Sequence, residues 1–231
     1  MSAETEIAAS LASVRARIET AARSAGRDPK SIALLAVSKT KPASMVRAAY
    51  ASGQRDFGEN YVQELSAKAS ELSDLTELRW HAIGHIQTNK ARDVARVAHA
   101  VHTIDSLKVA LELGRRAYAN GTVIEAFVQV NVGGEVLKSG CEPGELEALI
   151  EAVRTTRGLH VRGLMTVPPH TDDPNGARPY FEMLRALRDQ HGGVSLLPDL
   201  SMGMTHDLEV AIACGATIVR VGSAIFGERA V

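Results

Sequence analysis

At 231 residues, with 45% hydrophobic and 23% charged side chains, the chain has ample material for a core and suits one large domain or two small ones. A formal net charge of −1 and the absence of any Lys/Arg run argue against a polyanion, so no nucleic acid partner is expected. No apolar run reaches membrane-spanning length, Cys141 and Cys214 lie far apart without a CxxC, and the acidic, alanine-rich start is no signal peptide; a cytoplasmic chain without membrane contact, disulfide framework or thiolate zinc site is expected.

Residues 5–24 carry Ile7, Leu11, Val14 and Ile18 as one helical stripe, which predicts an amphipathic helix packed outside a sheet or closing one end of it. Residues 32–37 then form a short, continuous apolar run, as in a parallel strand covered on both faces. The run ends at Ser38-Lys39. A lysine at the end of such a strand sits where the sheet opens to a pocket, so Lys39 is the first candidate for chemistry.

From there strand and helix signals alternate. Strands are expected at 32–37, 56–58, 79–84, 100–104, 124–131, 160–166, 199–202 and 218–221, with helices at 42–52, 60–73, 87–97, 106–118, 143–156, 176–190 and 205–213. Pro42, Ser106, Pro143 and Thr205 mark helix starts, and Gly53, Gly114 and Gly215 mark stops. Alternation of this kind forces parallel pairing with right-handed crossovers, and eight units close most naturally into a single (β/α)₈ TIM barrel with an extra N-terminal helix. An open doubly wound sheet is the alternative, but the chain has neither G-x-G nor G-x-x-x-x-G-K. With no linker or composition break, residues 1–231 read as one domain.

In a barrel the C-terminal strand ends make the active face. They are Lys39; Glu59 and Asn60; Gly84 and His85; Asp105; Asn131; Met165 and Thr166; Ser201 and Gly203; Gly222 and Ser223. The small residues after strands 7 and 8 allow backbone N–H groups to face a ligand and suit a phosphate cup, the common site for one in barrels. A cup and a lysine on one rim suit a phosphorylated carbonyl compound held as a Schiff base, with the amine kept neutral by burial or by a cation, Lys41 or Arg220. His81 and His85 stand four apart but flank a strand end with no carboxylate nearby in sequence, so no metal is expected. Glu59 could serve as a general base, or cap or pair on the rim. The two cysteines are expected to be packing residues.

Six blocks complete the reading: Ala36-Val-Ser-Lys-Thr-Lys-Pro42, Phe57-Gly-Glu-Asn-Tyr-Val-Gln-Glu64, Trp80-His-Ala-Ile-Gly-His-Ile-Gln-Thr-Asn-Lys90, Arg162-Gly-Leu-Met-Thr166, Leu200-Ser-Met-Gly-Met204 and Val219-Arg-Val-Gly-Ser-Ala-Ile-Phe-Gly227. In order and spacing they resemble the YggS/PROSC family of pyridoxal 5′-phosphate (PLP) binding proteins, over residues 10–228. The resemblance implies a barrel like the N-terminal domain of alanine racemase, with PLP held as a Schiff base on Lys39. It places Ser201, Gly222 and Ser223 at the phosphate and Arg220 at the pyridine nitrogen or the phosphate. Asn60 lines the pocket, and Met165 and Gly203 complete the cofactor site. Lys138 matches a second lysine linked to cofactor handling, while Leu137 and His206 depart from the family's more polar pattern.

The function implied is non-catalytic: a PLP-binding protein of vitamin B6 homeostasis, a monomer that buffers PLP or delivers it to apo PLP-dependent enzymes. The alternative is a PLP-dependent amino-acid racemase. Racemisation needs an acid/base group on each face of the substrate adduct, and in the racemase a second domain and a facing subunit supply one of them. The chain ends four residues after Gly227, which would leave the site open and wet. An Arg at the ring nitrogen is also a weaker support for an electron sink than an Asp. An aldolase-like Schiff-base barrel without PLP is a third reading.

Overall fold

A computed structural model describes residues 3–135 and 139–228. The apolar runs form eight strands: β1 (Ala33–Val37), β2 (Asp56–Glu59), β3 (Arg79–Ala82), β4 (Ala100–Ile104), β5 (Ile124–Gln129), β6 (Leu159–Met165), β7 (Asp199–Ser201) and β8 (Ile218–Val221). They pair in parallel in sequence order, and β8 returns to β1 to close the barrel. The helices around it are α1 (Ala3–Ser24), α2 (Ala43–Ala51), α3 (Val62–Glu71), α4 (Ala91–Val97), α5 (Leu107–Ala119), α6 (Leu146–Thr155), α7 (Arg178–Gln190), α8 (Gly193–Leu196), α9 (Leu208–Ala213) and α10 (Ser223–Phe226). This is the expected (β/α)₈ barrel with its leading helix. Among the described residues no helix is long and apolar enough to cross a membrane.

Two separate apolar clusters follow from closure. The large one lies between strands and helices. The small one, Ala100, Phe127 and Met165 with Ile218 against it, lies inside the barrel. The stripe of α1 is buried throughout, from Ile7 through Leu11, Val14 and Ile18 to Ala22, and rests on α2, α9 and α10. So α1 packs on the outer ring, across the seam where β8 meets β1. Two arginines fasten it there: Arg17 on the helix grips both carboxylate oxygens of Glu209 and the Thr205 carbonyl, and Arg27, just past its end, donates to the carbonyls of Ile212 and Ala216.

Several boundaries differ from expectation. β3 and β5 each stop two residues early, although the Ile83 and Val130 N–H groups still bond the carbonyls of Glu59 and Met165 on the neighbouring strands. The helix expected from Thr205 begins at Leu208, since Asp207 turns its carboxylate back onto the Met204 N–H (2.6 Å) and closes a turn first. Gly114 is not a stop; it lies within α5. A Cβ there would collide with Thr156 and the Arg157 carbonyl, so glycine lets α5 approach the loop into β6. Gly53 and Gly215 do end helices, at φ of 84° and 108°. Pro143 opens a short 3₁₀ turn (Pro143–Glu145) ahead of α6. The one-turn helices α8 and α10 were not legible beforehand.

Candidate functional site

Pairing of β1 with β8 sets the site. Leu35 sits opposite Arg220 and Ala36 opposite Val221, so the chain after Val37 runs beside the Gly222–Ser223 turn. The approach is close: a Cβ on Gly222 would come within 3.1 Å of the Val37 carbonyl. Lys39 follows, half-buried, in a turn closed by the Lys41 N–H on the Ser38 carbonyl (3.0 Å). The third residue of that turn, Thr40, has φ 64°, a conformation ordinarily left to Gly or Asn and costly for a β-branched side chain.

Three side chains from β2 and α3 hold this turn. Lys68 Nζ donates to the Ser38 carbonyl and to Glu59 Oε1, both at 2.7 Å, and reaches Glu64 Oε2 at 3.2 Å. Ser38 Oγ donates to the same Glu59 oxygen (2.7 Å), and Glu64 Oε2 accepts the Thr40 N–H (2.8 Å). The Lys68 and Glu59 side chains are 8% and 0% exposed. Burial pushes the Glu59 carboxyl above the usual range, against hydrogen bonds from Lys68 and Ser38 that pull it down. Glu59, read as a candidate base, is thus the buried half of an ion pair that fixes the lysine-bearing turn. Lys68 escaped sequence reading; its only signal is the i,i+4 spacing from Glu64.

The turns after β7 and β8 lie on the other side of β1 from β2. Gly203 is buried at φ 91°, where a Cβ would strike Ala211, and its carbonyl accepts the Arg220 N–H (2.9 Å). Ser223, exposed at the start of α10, donates to Thr205 Oγ1 (3.3 Å), joining the two turns. First-turn N–H groups such as those of Ser223 and Ala224 are not consumed by the helix they begin.

Beneath lies Arg220, 4% exposed, with Nη1 donating to Ser201 Oγ and Nη2 to the Thr166 carbonyl, both at 2.9 Å. Burial lowers its guanidinium to about 10, with Asp207 opposing, so it stays a cation at neutral pH. Lys41 is engaged elsewhere, on the Glu228 carbonyl (2.6 Å). Of the two cations considered for Lys39, Arg220 is the one held inside the barrel.

The remaining candidates divide. Asn60 is half-buried just past β2. Met165 points into the barrel interior and packs with Phe127. Asn131 ties the loop after β5 through the Glu135 carbonyl and Glu142. Lys138 and Leu137 lie outside the described residues. Both histidines thought to lack a carboxylate have one: His81 Nε2 is 3.0 Å from Asp56, and His85 Nδ1 is 3.1 Å from Asp105. Parallel pairing of β2 with β3 and of β3 with β4 brings those acids close from 25 and 20 residues away. No cluster fit for a metal occurs among the described residues. Both cysteines are buried thiols, Cys141 pushed up to about 12 by burial.

Residues 9–230 match the family described as "Alanine racemase, N-terminal domain". The chain is 50% identical over 224 residues, 96% of each chain, to the pyridoxal phosphate homeostasis protein of Pseudomonas aeruginosa. It is 43% identical over 231 residues, 97% of each, to the protein of that name from Escherichia coli K12. Among solved structures, PipY of Synechococcus elongatus PCC7942 with PLP bound is similar at a TM-score of 0.82 and 38% identity, covering 96% of this chain and all of that one.

Proposed function

The chain belongs to the alanine racemase N-terminal domain family, and from that premise we propose that it is a PLP-binding protein of PLP homeostasis that stores and hands over the cofactor. One observation carries the reading: the β1–β8 register sets Lys39 beside the Gly222–Ser223 turn, with a buried cation beneath. When bound, PLP supplies an aldehyde that an amine can hold covalently, a ring nitrogen, and a phosphate dianion.

The residues fit such a group. Lys39 is the covalent attachment point. The backbone of Gly203, Gly222 and Ser223 forms the phosphate cup, narrow because Gly222 leaves no room for a side chain. Arg220 faces the ring nitrogen or the phosphate as a fixed cation, Ser201 stands behind it, and Asn60 and Met165 bound the pocket. The Glu59–Lys68 pair keeps the Lys39 turn in a backbone it would not hold alone. The proposal extends to one domain spanning 1–231, a monomer in the cytoplasm, with apo PLP-dependent enzymes as recipients.

The test is turnover against delivery. Holo-protein is incubated with L-alanine in heavy water, and the Cα proton is followed by NMR. A carrier leaves that signal almost unchanged over hours yet activates an apo PLP enzyme mixed with it. Exchange on the order of one per second or faster, with D-alanine appearing, would establish a racemase instead.

A further inference from the structure

The barrel interior holds a polar chain that neither the lysine turn nor the phosphate cup requires. His102 on β4 reaches Ser201 on β7 (Nδ1 to Oγ, 2.8 Å), and these strands are not neighbours, so the link crosses the interior. His102 Nε2 lies 3.0 Å from His81 Nδ1, and His81 Nε2 lies 3.0 Å from Asp56 Oδ1. The other Asp56 oxygen takes Arg79 (2.6 Å) at the opposite mouth of the barrel from Lys39. We propose that His102 and His81 are positioning residues for Arg220: with Ser201 they form an uncharged, one-way hydrogen-bond relay from the guanidinium to the Asp56 carboxylate, which fixes the guanidinium and commits the Ser201 oxygen to accepting from it.

The direction follows from the donor inventory. Arginine has no acceptor, so Ser201 Oγ accepts from Arg220 and its own hydrogen turns to His102 Nδ1. A neutral His102 that accepts at Nδ1 carries its proton on Nε2 and donates to His81 Nδ1. His81 in turn carries its proton on Nε2 and donates to the Asp56 carboxylate. Every donor meets an acceptor, from the Arg220 cation to the Asp56 anion. Reversed, the chain would set the bare Nε2 of His81 against a carboxylate, two acceptors at 3.0 Å, unless His81 took a second proton. Burial, His81 and Arg220 hold His102 well below its ordinary range, which keeps it neutral, and stacking on Phe127 (4.3 Å between centroids, 21°) fixes its ring plane.

Two consequences bear on the ligand. Arg220 spends one N–H on Ser201 and one on Thr166, so three of its five remain for other partners. Ser201 has no hydroxyl hydrogen left for a phosphate; that donor role falls to backbone N–H groups, and to Ser223 only if its exposed hydroxyl turns away from Thr205. Arg220 meeting the cofactor rests on the reading above, but the relay is a property of the ligand-free protein.

The test therefore begins without ligand. Long-range ¹H–¹⁵N NMR of the ¹⁵N-histidine-labelled protein near neutral pH should show His102 and His81 as neutral Nε2–H tautomers. An Nδ1–H tautomer at His102, or an imidazolium at either residue, overturns the relay. In PLP titrations His102→Leu should weaken binding about tenfold, the scale of one hydrogen bond to a charged group. His102→Asn, whose Oδ1 can take the place of Nδ1, should recover most of it. Equal losses in both variants, or none in either, also overturn the proposal. A wild-type protein that binds no PLP defeats the cofactor reading, and the tautomers alone then decide the relay.

Discussion

Thr40 adopts a left-handed backbone that costs a non-glycine residue roughly 1–3 kcal/mol, and it does so one residue after the lysine on which the site depends. Glu64, which accepts the Thr40 N–H, and the Glu59–Lys68 pair, which grips Ser38, hold it. Removing one partner of a buried pair leaves an uncompensated charge, so Lys68→Met should cost about 3–5 kcal/mol in urea unfolding. The double variant Lys68→Met/Glu59→Gln should regain part of that, and its failure to do so would place the loss in packing alone. At the cup, Gly222→Val would push a side chain into the Val37 carbonyl. PLP binding should weaken far more than pyridoxal binding, because only PLP uses the cup; equal losses would mean that Gly222 merely supports the barrel. The strand-end position of Lys39 and the small-residue turns after β7 and β8 were legible because each is local, an apolar run ending in a lysine and two runs of small residues. Lys68 and the histidine chain were not, since a side chain's partners on other elements are set only by packing: Ser38 lies 30 residues from Lys68, and Ser201 lies 99 from His102, across the barrel.

Among the elements, strand positions were read well and helix starts less so. An apolar run burying both faces of a parallel strand leaves a continuous signal, whereas helix α9 starts late because of one side-chain bond, Asp207 to the Met204 N–H. Gly114 was misread because its reason is tertiary: α5 and the loop into β6 touch there. Gly114→Leu should overpack that contact and destabilise by about 1–3 kcal/mol or more. It should leave PLP affinity unchanged, because α5 contributes nothing to the lysine turn or the cup. A thermal melt and a PLP titration on the same sample check both halves, and a loss of affinity at unchanged stability would contradict this assignment.

For the whole molecule, closing the barrel around a polar interior has a pH consequence. His102 is held neutral well below its ordinary range, while the unfolded chain binds a proton on it below about pH 6.5. In that window the unfolded state carries the extra proton, so stability falls as pH falls, with a slope of up to about 1.4 kcal/mol per pH unit from this group. His102→Leu should flatten the difference between urea midpoints at pH 7 and pH 5.5, and an unchanged difference would mean that His102 titrates in the fold as it does outside it. The same closure brings β1 beside β8 and so sets the Lys39 turn next to the Gly222–Ser223 turn, with Arg220 buried on β8. The most direct measurement of that arrangement is borohydride reduction of the PLP-loaded protein, followed by peptide mass spectrometry. The pyridoxyl group should appear on Lys39, and Lys39→Ala should lose the visible absorption band while keeping its fold by circular dichroism. A label on Lys41, or a band that survives in Lys39→Ala, would contradict the account.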